Sequence, residues 1–513
     1  MPPSNSIVYL IGAGPGDVGL LTLRGKELLA TCDVVVYDYL ANKEMLAFAR
    51  HDAELIYAGK MGGEHTLPQQ EINALLVAKA GEGKRVARLK GGDPYMFGRG
   101  AEEAEELLRS GIACEVVPGV TSAIAGPAYA GIPLTHRKYA SSVCFATGHE
   151  DVEKAESVHD WKALATGTST LVFFMGMKNL PWIVDNLVHN GMDPATPAAL
   201  VYRGTTPDHR STAGTLADLP RLAEEENFTA PSIIIIGKVV LLRDRLNWFE
   251  KKPLLGKGII VTRAREQASD MARLLAAEGA RVVELPAIRI EPATNATLVR
   301  EAICHLRDYD WTVFTSPNGV EFFWRELTAL RLDARAFAAT SVAAIGPATA
   351  EALAQKGILA DYIPQSHVAE ALLEGIVAQG VSGKRILLAR AEKARDILPK
   401  GLEEAGADVR VVAVYQTLPV QDCAKNAAKA ASLFATGKIR YISFASSSTV
   451  ENFLAVVPVE TLYRYPNLRF ACIGPITAKT LEDAGLPCHI MPEQYTIPAL
   501  IQAIISDAES NPQ

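Results

Sequence analysis

The stretch Leu89-Lys-Gly-Gly-Asp-Pro-Tyr-Met-Phe-Gly-Arg-Gly100 places four glycines and a proline directly after an apolar run. Neither a helix nor an ordinary strand accommodates so many residues that break regular structure. The stretch therefore predicts a loop whose backbone comes close to another group. A second loop of this kind, Ile11-Gly-Ala-Gly-Pro-Gly-Asp17, follows an apolar run near the N-terminus. Two such loops at strand ends indicate a ligand site in the first half of the chain.

Apolar runs and helical patterns alternate along this half, an order typical of a parallel α/β fold. The predicted elements are Ile7–Ile11, a helix near Leu21–Ala30, Asp33–Tyr37, a helix near Gln69–Ala80, Arg85–Leu89, Thr170–Met175 and Ser232–Ile236. Residues 243–258 are charged and broken, so the main boundary is predicted there. The predicted domains are residues 1–250 and 256–513, joined by a linker at 251–255.

The composition is that of a globular protein, with 513 residues of which 49% are apolar and 21% charged. A net charge of −7 argues against nucleic acid or an anionic membrane as a partner. The seven cysteines are odd in number and form no Cys-x-x-Cys pair, so neither a disulfide framework nor a metal site is expected. The N-terminus shows no signal-peptide pattern, and residues 232–242 are too few to span a bilayer, so a cytoplasmic protein is predicted.

The second half of the chain repeats itself at a spacing of about 128 residues. The matched blocks are Gly256–Arg263 with Gly383–Arg390, Phe314–Glu321 with Phe444–Glu451, and Gly346–Gly357 with Gly474–Gly485. Blocks that recur in the same order predict a duplicated α/β unit. Two similar lobes imply a cleft between them.

The loop at 11–17 admits a dinucleotide-binding interpretation, because it follows a strand and Asp38 ends the next strand. Two details oppose it. Asp17 stands where a glycine or alanine would let helix and strand pack closely, and Pro15 lacks the backbone N–H that a pyrophosphate would bind. A nicotinamide-dependent oxidoreductase is therefore an alternative that these residues disfavour.

Further motifs accompany the two loops. Taken together, the set is Gly12–Asp17, Asp38, Gly59-Lys60, Gly91–Pro94, Phe97–Gly100, Pro118–Ser122, Gly131–Arg137 and Phe174–Gly176. With this set, residues 7–249 resemble the tetrapyrrole C-methyltransferases, and in particular their uroporphyrinogen-III C-methyltransferase branch. The resemblance implies S-adenosylmethionine held between two α/β lobes, largely by main chain, at Pro15, Gly91, Gly92, Asp93, Met96, Thr121, Ser122, Met175 and Gly204. A plainer alternative has Asp93 and Pro94 capping a helix that begins near Tyr95.

The same resemblance makes Asp38 the proton acceptor and Lys60 the proton donor in methylation of a pyrrole carbon. Alternatively, Asp38 is a turn acid and Lys60 a solvated charge. Because uroporphyrinogen carries many carboxylates, cations beside the loops are expected to bind it. Those cations are Arg99 and Arg137, with Arg24, Lys26, Lys90 and Lys138 as further candidates.

In the duplicated half, Thr315-Ser-Pro317, the two Gly-Pro-x-Thr-Ala blocks and Val414-Tyr-Gln-Thr417 stand out. With them, residues 256–507 resemble uroporphyrinogen-III synthase, which implies interleaved lobes of 256–289 with 416–507 and of 290–415. Positions that follow strands or open helices are expected to face the cleft. These substrate-binding positions are Arg263, Thr315, Ser316, Thr349, Arg390, Ser446, Ser447 and Thr477.

Tyr415 is placed by this resemblance to assist the departure of the substrate's terminal hydroxyl. The plainer alternative makes Thr349 and Thr477 N-caps of helices and Tyr415 a packing residue.

Together the two resemblances imply a bifunctional enzyme that cyclises hydroxymethylbilane to uroporphyrinogen III and methylates it at C2 and C7. The product would be precorrin-2, on the branch to sirohaem or cobalamin, and a homodimer through the methyltransferase half is expected. One alternative is a methyltransferase for a later corrinoid. Another treats the duplicated half as a ligand-sensing module, because clefts between lobes often serve binding.

Overall fold

The computed structural model describes residues 6–59, 67–149, 157–263, 265–286, 288–366, 368–419 and 423–511. The chain forms two compact units. The N-terminal unit comprises Met1–Gly258 with Leu275–Arg281 and Ala508–Gln513, and the C-terminal unit comprises Ile259–Leu274 and Val282–Asp507. Lys60 lies outside the described residues. Within the described ranges, no helix combines the length and the apolar character needed to cross a membrane.

The first sheet of the N-terminal unit is parallel, with strand order β3-β2-β4-β1-β5. Its strands are β1 Ile7–Gly12, β2 Val34–Tyr37, β3 Glu54–Tyr57, β4 Arg85–Lys90 and β5 Ala113–Val117, with helices α1 Leu23–Leu29, α2 Gln69–Gly81, α3 Gly100–Arg109 and α4 Ser122–Tyr129. Along β1, Val8 and Leu10 lie in one hydrophobic cluster and Tyr9 and Ile11 in another. Both faces of the sheet are therefore buried at β1, which is why β1 and its neighbour in sequence β2 are continuous apolar runs.

The second sheet of this unit is mixed, with order β6-β7-β10-β8-β9. Its strands are β6 Val143–Thr147, β7 Thr170–Phe174, β8 Pro197–Tyr202, β9 Arg210–Thr215 and β10 Ser232–Ile236, with helices α5 Trp161–Thr166, α6 Leu180–His189, α7 Leu219–Glu225 and α8 Arg243–Leu246. Here only β6 and β7 are paired in parallel. The predicted parallel order does not extend to this sheet, because the short turn at 203–209 can join β8 to β9 only as an antiparallel pair.

The C-terminal unit holds two sheets, of order β12-β11-β18-β19 and β13-β17-β16-β14-β15. The strands are β11 Gly258–Val261, β12 Arg281–Glu284, β13 Ile288–Pro292, β14 Trp311–Phe314, β15 Ser341–Ala344, β16 Arg385–Ala391, β17 Asp408–Pro419, β18 Ile439–Phe444 and β19 Arg469–Cys472. The helices are α9 Arg265–Ala277, α10 Ala296–Cys304, α11 Pro317–Ala329, α12 Pro347–Ala354, α13 Ala369–Val377, α14 Ile397–Glu404, α15 Cys423–Ala435, α16 Ser447–Val456, α17 Val459–Leu462, α18 Pro475–Asp483 and α19 Ile497–Ser510.

The expected interleaving of two lobes is confirmed, since strands from both ends of the unit build the four-stranded sheet. The expected limits differ slightly. Positions 289 and 416 fall inside β13 and β17, which pair antiparallel with each other and both belong to the five-stranded sheet.

The repeat in the sequence is also a repeat in the structure. Ser316 (φ −167°, ψ 155°) caps α11 after β14, and Ser446 (φ −167°, ψ 160°) caps α16 after β18. Likewise, α12 follows β15 and α18 follows β19, each with a glycine as its N-cap. Because β14 pairs in parallel with β15 and β18 with β19, two helix N-termini lie side by side at the carboxyl edge of each sheet.

Candidate active sites

In the N-terminal unit, the loops after β1, β4 and β5 pack backbone against backbone. Gly14 and Gly92 exchange two N–H···O hydrogen bonds of 3.1 and 2.7 Å. A Cβ atom on Gly12 would lie 2.5 Å from Gly119 Cα, and one on Gly119 would lie 2.3 Å from Gly92 O. The sequence predicts that the backbone of these glycine-rich loops comes close to another group. In the structure, that group is the backbone of a neighbouring loop.

Two glycines of the loop after β4 have different surroundings. A Cβ on Gly91 would collide with Leu40 Cβ at 2.4 Å, so this glycine packs against the loop after β2. Gly92 has a φ of +69°, and a Cβ there would meet nothing within 4 Å. The backbone conformation at position 92 therefore favours glycine, and no described residue fills the space where a side chain would stand.

Asp93 ties two of these loops together. Its Oδ1 accepts hydrogen bonds from the backbone N–H groups of Tyr95 (2.8 Å) and Met96 (3.1 Å), and its Oδ2 accepts one from Gly119 (2.9 Å). The capping alternative is wrong in one respect, because residues 95–96 form a turn and α3 begins only at Gly100.

Asp38 ends β2, and its carboxylate is held by several donors. Oδ1 accepts from the backbone N–H groups of Leu40 and Ala41, each at 3.1 Å, and from that of Gly91 at 3.3 Å. Arg88 Nη2 lies 3.6 Å from Oδ2. Asp38 thus has the contacts of a turn acid and also lies beside the glycine-rich loop. The turn-acid interpretation and the proton-acceptor interpretation are therefore compatible.

A buried charge cluster lies behind Asp38. Glu103 Oε1 accepts from Lys90 Nζ (2.8 Å), Gln69 Nε2 (3.1 Å) and Arg88 Nε (3.3 Å), whereas Glu103 Oε2 is buried and has no hydrogen-bond partner among the residues that the structure describes. Burial lowers the pKa of Lys90, and the charge of Arg88 acts in the same direction. The sequence suggests Lys90 as a substrate-binding cation, but its side chain is 4% exposed and forms an ion pair with Glu103.

The other predicted cations of this unit lie on the surface. Arg99 forms a two-pronged ion pair with Glu102 (2.9 and 2.7 Å), and Arg24 forms one with Glu115 (3.0 and 3.2 Å). Lys26 Nζ lies 4.9 Å from the ring centre of Phe48. Arg137 and Lys138 are exposed on the turn after α4.

Side chains at α4 and at the loop after β7 complete the predicted cofactor positions. Thr121 is the N-cap of α4 and is buried, yet its side chain makes no capping hydrogen bond; Ser122 is the first helical residue. Gly204 packs against this helix, since a Cβ on it would lie 2.7 Å from Gly126 Cα.

The remaining predicted cofactor positions lie in other loops. Met175, directly after β7, is exposed. Pro15 lies between two glycines of positive φ, and Met96 packs against a core cluster.

Backbone strain gathers in these loops. Non-glycine residues with positive φ in the described ranges include Phe97 (51°), Arg99 (59°), Met175 (53°), Arg203 (42°) and Thr205 (72°). Such conformations are costly and concentrate where a site imposes them. They make the loops after β4, β7 and β8 candidates for a functional site.

The sequence reasoning missed the loop after β8, apart from Gly204. Thr205 Oγ1 accepts a hydrogen bond from Asp17 N (3.1 Å), and Arg203 Nη2 donates to Tyr39 OH (3.2 Å). This loop therefore connects the second sheet to the loops after β1 and β2. No local pattern indicates such contacts, because the partners are far apart in sequence.

In the C-terminal unit, most predicted hydroxyls serve the helix N-termini. Ser316 and Ser446 are N-caps, and Ser447 Oγ accepts from Thr480 Oγ1 (2.8 Å). Thr349 and Thr477 are buried inside the first turns of α12 and α18, whose N-caps are glycines, so the N-cap alternative for them is wrong. Thr315 is half-buried at the end of β14.

Tyr415 lies on β17 and is largely buried. Its OH is 3.0 Å from Ser316 Oγ, and its ring stacks on Phe322 with centroids 6.0 Å apart. Burial raises the pKa of Tyr415, although hydrogen bonds with Ser316 and Asn318 oppose the rise. The residue therefore packs, as the plainer alternative holds, and also presents a protonated hydroxyl at the N-terminus of α11.

The two repeated arginines differ. Arg390 donates to Arg395 O (2.9 Å) and Asp396 Oδ1 (2.9 Å), and its hydrogen bond lowers the pKa of Asp396. Arg263 is half-buried at the end of β11, and burial lowers its pKa. Arg390 is thus partly engaged by the loop that precedes α14.

Comparison with known families assigns each unit to a class. Residues 7–220 match the tetrapyrrole (corrin/porphyrin) methylases, and residues 269–502 match uroporphyrinogen-III synthase HemD. The crystal structure of uroporphyrin-III C-methyltransferase from Thermus thermophilus is 39% identical and covers 48% of this chain and 97% of its own, with a TM-score of 0.40. On the two family matches, the chain is a fusion of a tetrapyrrole methylase domain with a uroporphyrinogen-III synthase domain.

Two curated relatives match across both units of the chain, one of them from end to end. The porphyrin biosynthesis protein HemD of Ruminiclostridium josui is 38% identical over 512 residues, which is 99% of either chain. The uroporphyrinogen-III C-methyltransferase of Bacillus subtilis is 43% identical over 70% of this chain and 73% of its own. The protein belongs to the family of the R. josui porphyrin biosynthesis protein.

Proposed function

We propose that this chain cyclises hydroxymethylbilane to uroporphyrinogen III in its C-terminal unit and methylates that product at C2 and C7 in its N-terminal unit, to give precorrin-2. The observation that carries the proposal is the match over 99% of the R. josui protein, combined with one family for each unit. The name of the C-terminal family and that of the B. subtilis relative describe successive reactions, because uroporphyrinogen III is the product of a synthase and the substrate of a C-methyltransferase.

The loops of the N-terminal unit fit S-adenosylmethionine. Open space lies at Gly92, and no side chain caps the N-terminus of α4. The first feature lets a ligand come close to the main chain, and the second leaves the first N–H groups of α4 for a ligand that accepts hydrogen bonds. Residues 91–93, 96, 121–122, 175 and 204, with Pro15, would hold it, and when bound it supplies an electrophilic methyl group.

Asp38 is proposed to accept the proton that the methylated pyrrole releases. Three backbone N–H groups and Arg88 fix its carboxylate at the edge of the glycine-rich loop, so the base needs no reorganisation when the reaction occurs. The role of Lys60 as proton donor stays a prediction.

In the C-terminal unit, the paired helix N-termini are proposed to bind the substrate's carboxylates. Backbone N–H groups and the helix dipole favour anions there. Tyr415, held in its protonated form by burial, would donate a proton to the departing hydroxyl, which leaves as water. Holding the linear substrate in one conformation would then favour ring closure with inversion of the last pyrrole.

The proposal is tested with the purified full chain, hydroxymethylbilane and a labelled methyl donor. Asp38→Asn should lower label transfer about 100-fold or more, the range for loss of a general base, while ring closure persists. Asp244→Asn, at a carboxylate that is 90% exposed on α8, is the matched control and should change neither rate. Loss of both activities in Asp38→Asn would contradict the assignment.

The competing functions give different products. A later corrinoid methyltransferase would leave uroporphyrinogen III unlabelled, and a ligand-sensing C-terminal unit would leave only the type I isomer from hydroxymethylbilane. Calorimetric titration with S-adenosylhomocysteine and with NAD distinguishes the methyltransferase from the nicotinamide-dependent oxidoreductase, since each class should bind only its own ligand. The homodimer and the cytoplasmic location stay predictions.

A further inference from the structure

Arg203 lies in the loop after β8, directly before Gly204. Its φ of 42° is in the left-handed region, which is unfavourable for an L-residue. Its backbone N–H donates to Pro231 O at 3.1 Å, and its Nη2 donates to Tyr39 OH at 3.2 Å. Tyr39 is the residue that follows Asp38. The strained backbone thus accompanies a side chain that reaches from the second sheet to the loop of the proposed base.

The positive charge of Arg203 is less closely paired than those of Arg99 and Arg24. Its nearest carboxylate oxygen, Asp208 Oδ2, is 3.5 Å from Nη1, and Nε is buried without a hydrogen-bond partner in the described part of the chain. Arg99 and Arg24, by contrast, contact their carboxylates at 2.7 and 3.0 Å. Arg203 also remains partly open to solvent, with 35% of its side chain exposed.

Tyr39 is a weak partner for a guanidinium. A hydrogen bond from arginine to a carboxylate is charge-assisted and about twice as strong as one between neutral groups. The neutral phenol of Tyr39 therefore holds Arg203 in position without neutralising its charge. An incoming carboxylate would displace the phenol from the guanidinium.

The surroundings suit a large ligand with an apolar body and acidic substituents. Exposed apolar side chains project from the loops after β2, β4 and β7, namely Tyr39, Leu40, Phe97 and Met175. Tyr39 is the member of this set that contacts Arg203, and a guanidinium next to an exposed apolar ring is the complement of such a ligand.

We propose that Arg203 binds a carboxylate of the tetrapyrrole substrate of the methylation reaction, and that Tyr39 holds the guanidinium in place until the substrate arrives. This inference rests on the proposed methyltransferase function. It adds a substrate-recognition residue in a loop for which that function implied only a cofactor contact, Gly204.

The test compares Arg203→Met, Arg203→Lys and Tyr39→Phe in the full chain, with KM for uroporphyrinogen III and Kd for S-adenosylhomocysteine as readouts. Arg203→Met should raise the tetrapyrrole KM about tenfold or more through loss of a charged hydrogen bond, and Arg203→Lys should recover part of it. Kd for S-adenosylhomocysteine should change less than twofold. Tyr39→Phe should leave the tetrapyrrole KM unchanged or lower it, because the competing phenol is gone.

Arg221→Met is the control, since Arg221 pairs with Asp218 and Glu225 on the surface of α7. An unchanged tetrapyrrole KM in Arg203→Met, or a parallel loss of S-adenosylhomocysteine binding, would overturn the inference. A rise in KM in Tyr39→Phe equal to that in Arg203→Met would show a structural role for the contact and would also overturn it. Absence of methyl transfer in the unaltered chain would instead refute the proposed function.

Discussion

At the residue scale, Gly119 illustrates how a motif glycine can serve packing rather than ligand contact. A Cβ atom on Gly119 would collide with Gly92 O and Gly12 Cα, which are main-chain atoms and cannot rotate away. We expect Gly119→Ala to lower the free energy of unfolding of the N-terminal unit by about 1–3 kcal/mol and to weaken S-adenosylhomocysteine binding. Chemical denaturation and calorimetry measure the two effects.

Gly81 provides the matched control, because a Cβ there meets nothing within 4 Å at the end of α2. Gly81→Ala should be neutral or stabilise by up to about 1 kcal/mol, as expected from helix propensity. Equal effects of the two substitutions would show that the backbone contact at Gly119 is unimportant.

Tyr415 allows a test of the synthase chemistry with little risk to folding. Tyr415→Phe keeps the ring on Phe322, and Ser316 still accepts from Gly319 N. We expect formation of the type III isomer to fall about 100-fold, the range for loss of a general acid, while methylation of supplied uroporphyrinogen III continues. Isomer analysis by chromatography measures this, and an unchanged rate would leave Tyr415 as a packing residue.

Residue types could be assigned from the sequence more readily than their partners. Lys90 and Arg99 both looked like substrate cations beside a loop, yet one is buried on Glu103 and the other is paired with Glu102. The sequence shows that Lys90 ends a strand, but the position of Glu103 beneath it depends on how α3 packs against the sheet.

At the scale of elements, a polar network anchors the end of the N-terminal unit to β9. Glu250 accepts hydrogen bonds from Ser211 Oγ (2.6 Å), Arg243 Nη2 (2.9 Å) and Asn247 Nδ2, and its Oε1 lies 3.3 Å from His209 Nε2. His209 Nδ1 accepts from Thr205 N at 3.4 Å, so the network also supports the loop after β8. Burial opposes ionisation of Glu250, but these contacts outweigh it and lower its pKa to about 2.

This depressed pKa predicts a pH dependence. Because the folded state binds the proton of Glu250 less readily than the unfolded chain, the stabilisation is present above pH ~4.5 and is lost as the pH falls toward 2. Glu250→Gln should therefore cost about 3 kcal/mol of unfolding free energy at pH 7 and much less near pH 2. Urea denaturation across this range measures it. Glu225→Gln, at an exposed carboxylate of α7, should show no such dependence.

Elements with both faces buried were predicted well, and the mixed sheet was not. Apolar runs such as β1 and β10 are recognised from the sequence, because every side chain along them is buried or nearly so. In contrast, β9 is a half-exposed run of small and polar residues, and its place beside β8 comes from pairing across a turn rather than from its own pattern.

At the scale of the whole molecule, the two activities are expected to be separable by substitution. An equal mixture of Asp38→Asn and Tyr415→Phe chains should convert hydroxymethylbilane to the dimethylated product, because uroporphyrinogen III released by the first chain can be methylated by the second. Mass spectrometry of the product measures this. Failure of the mixture, with each variant retaining its other activity, would show that the intermediate passes only within one chain.

The sequence by itself determined the division into two unlike halves, the duplication of the second half and the loops that carry the sites, because apolar runs, glycine-rich turns and repeats are local properties. The tertiary structure decided which carboxylates pair with Lys90 and Arg99, that Gly12 and Gly119 pack against each other, and that Arg203 reaches Tyr39. Those outcomes depend on residues far apart in the chain coming within hydrogen-bond distance, and burial and pairing of charge are set only when the sheets and helices have packed.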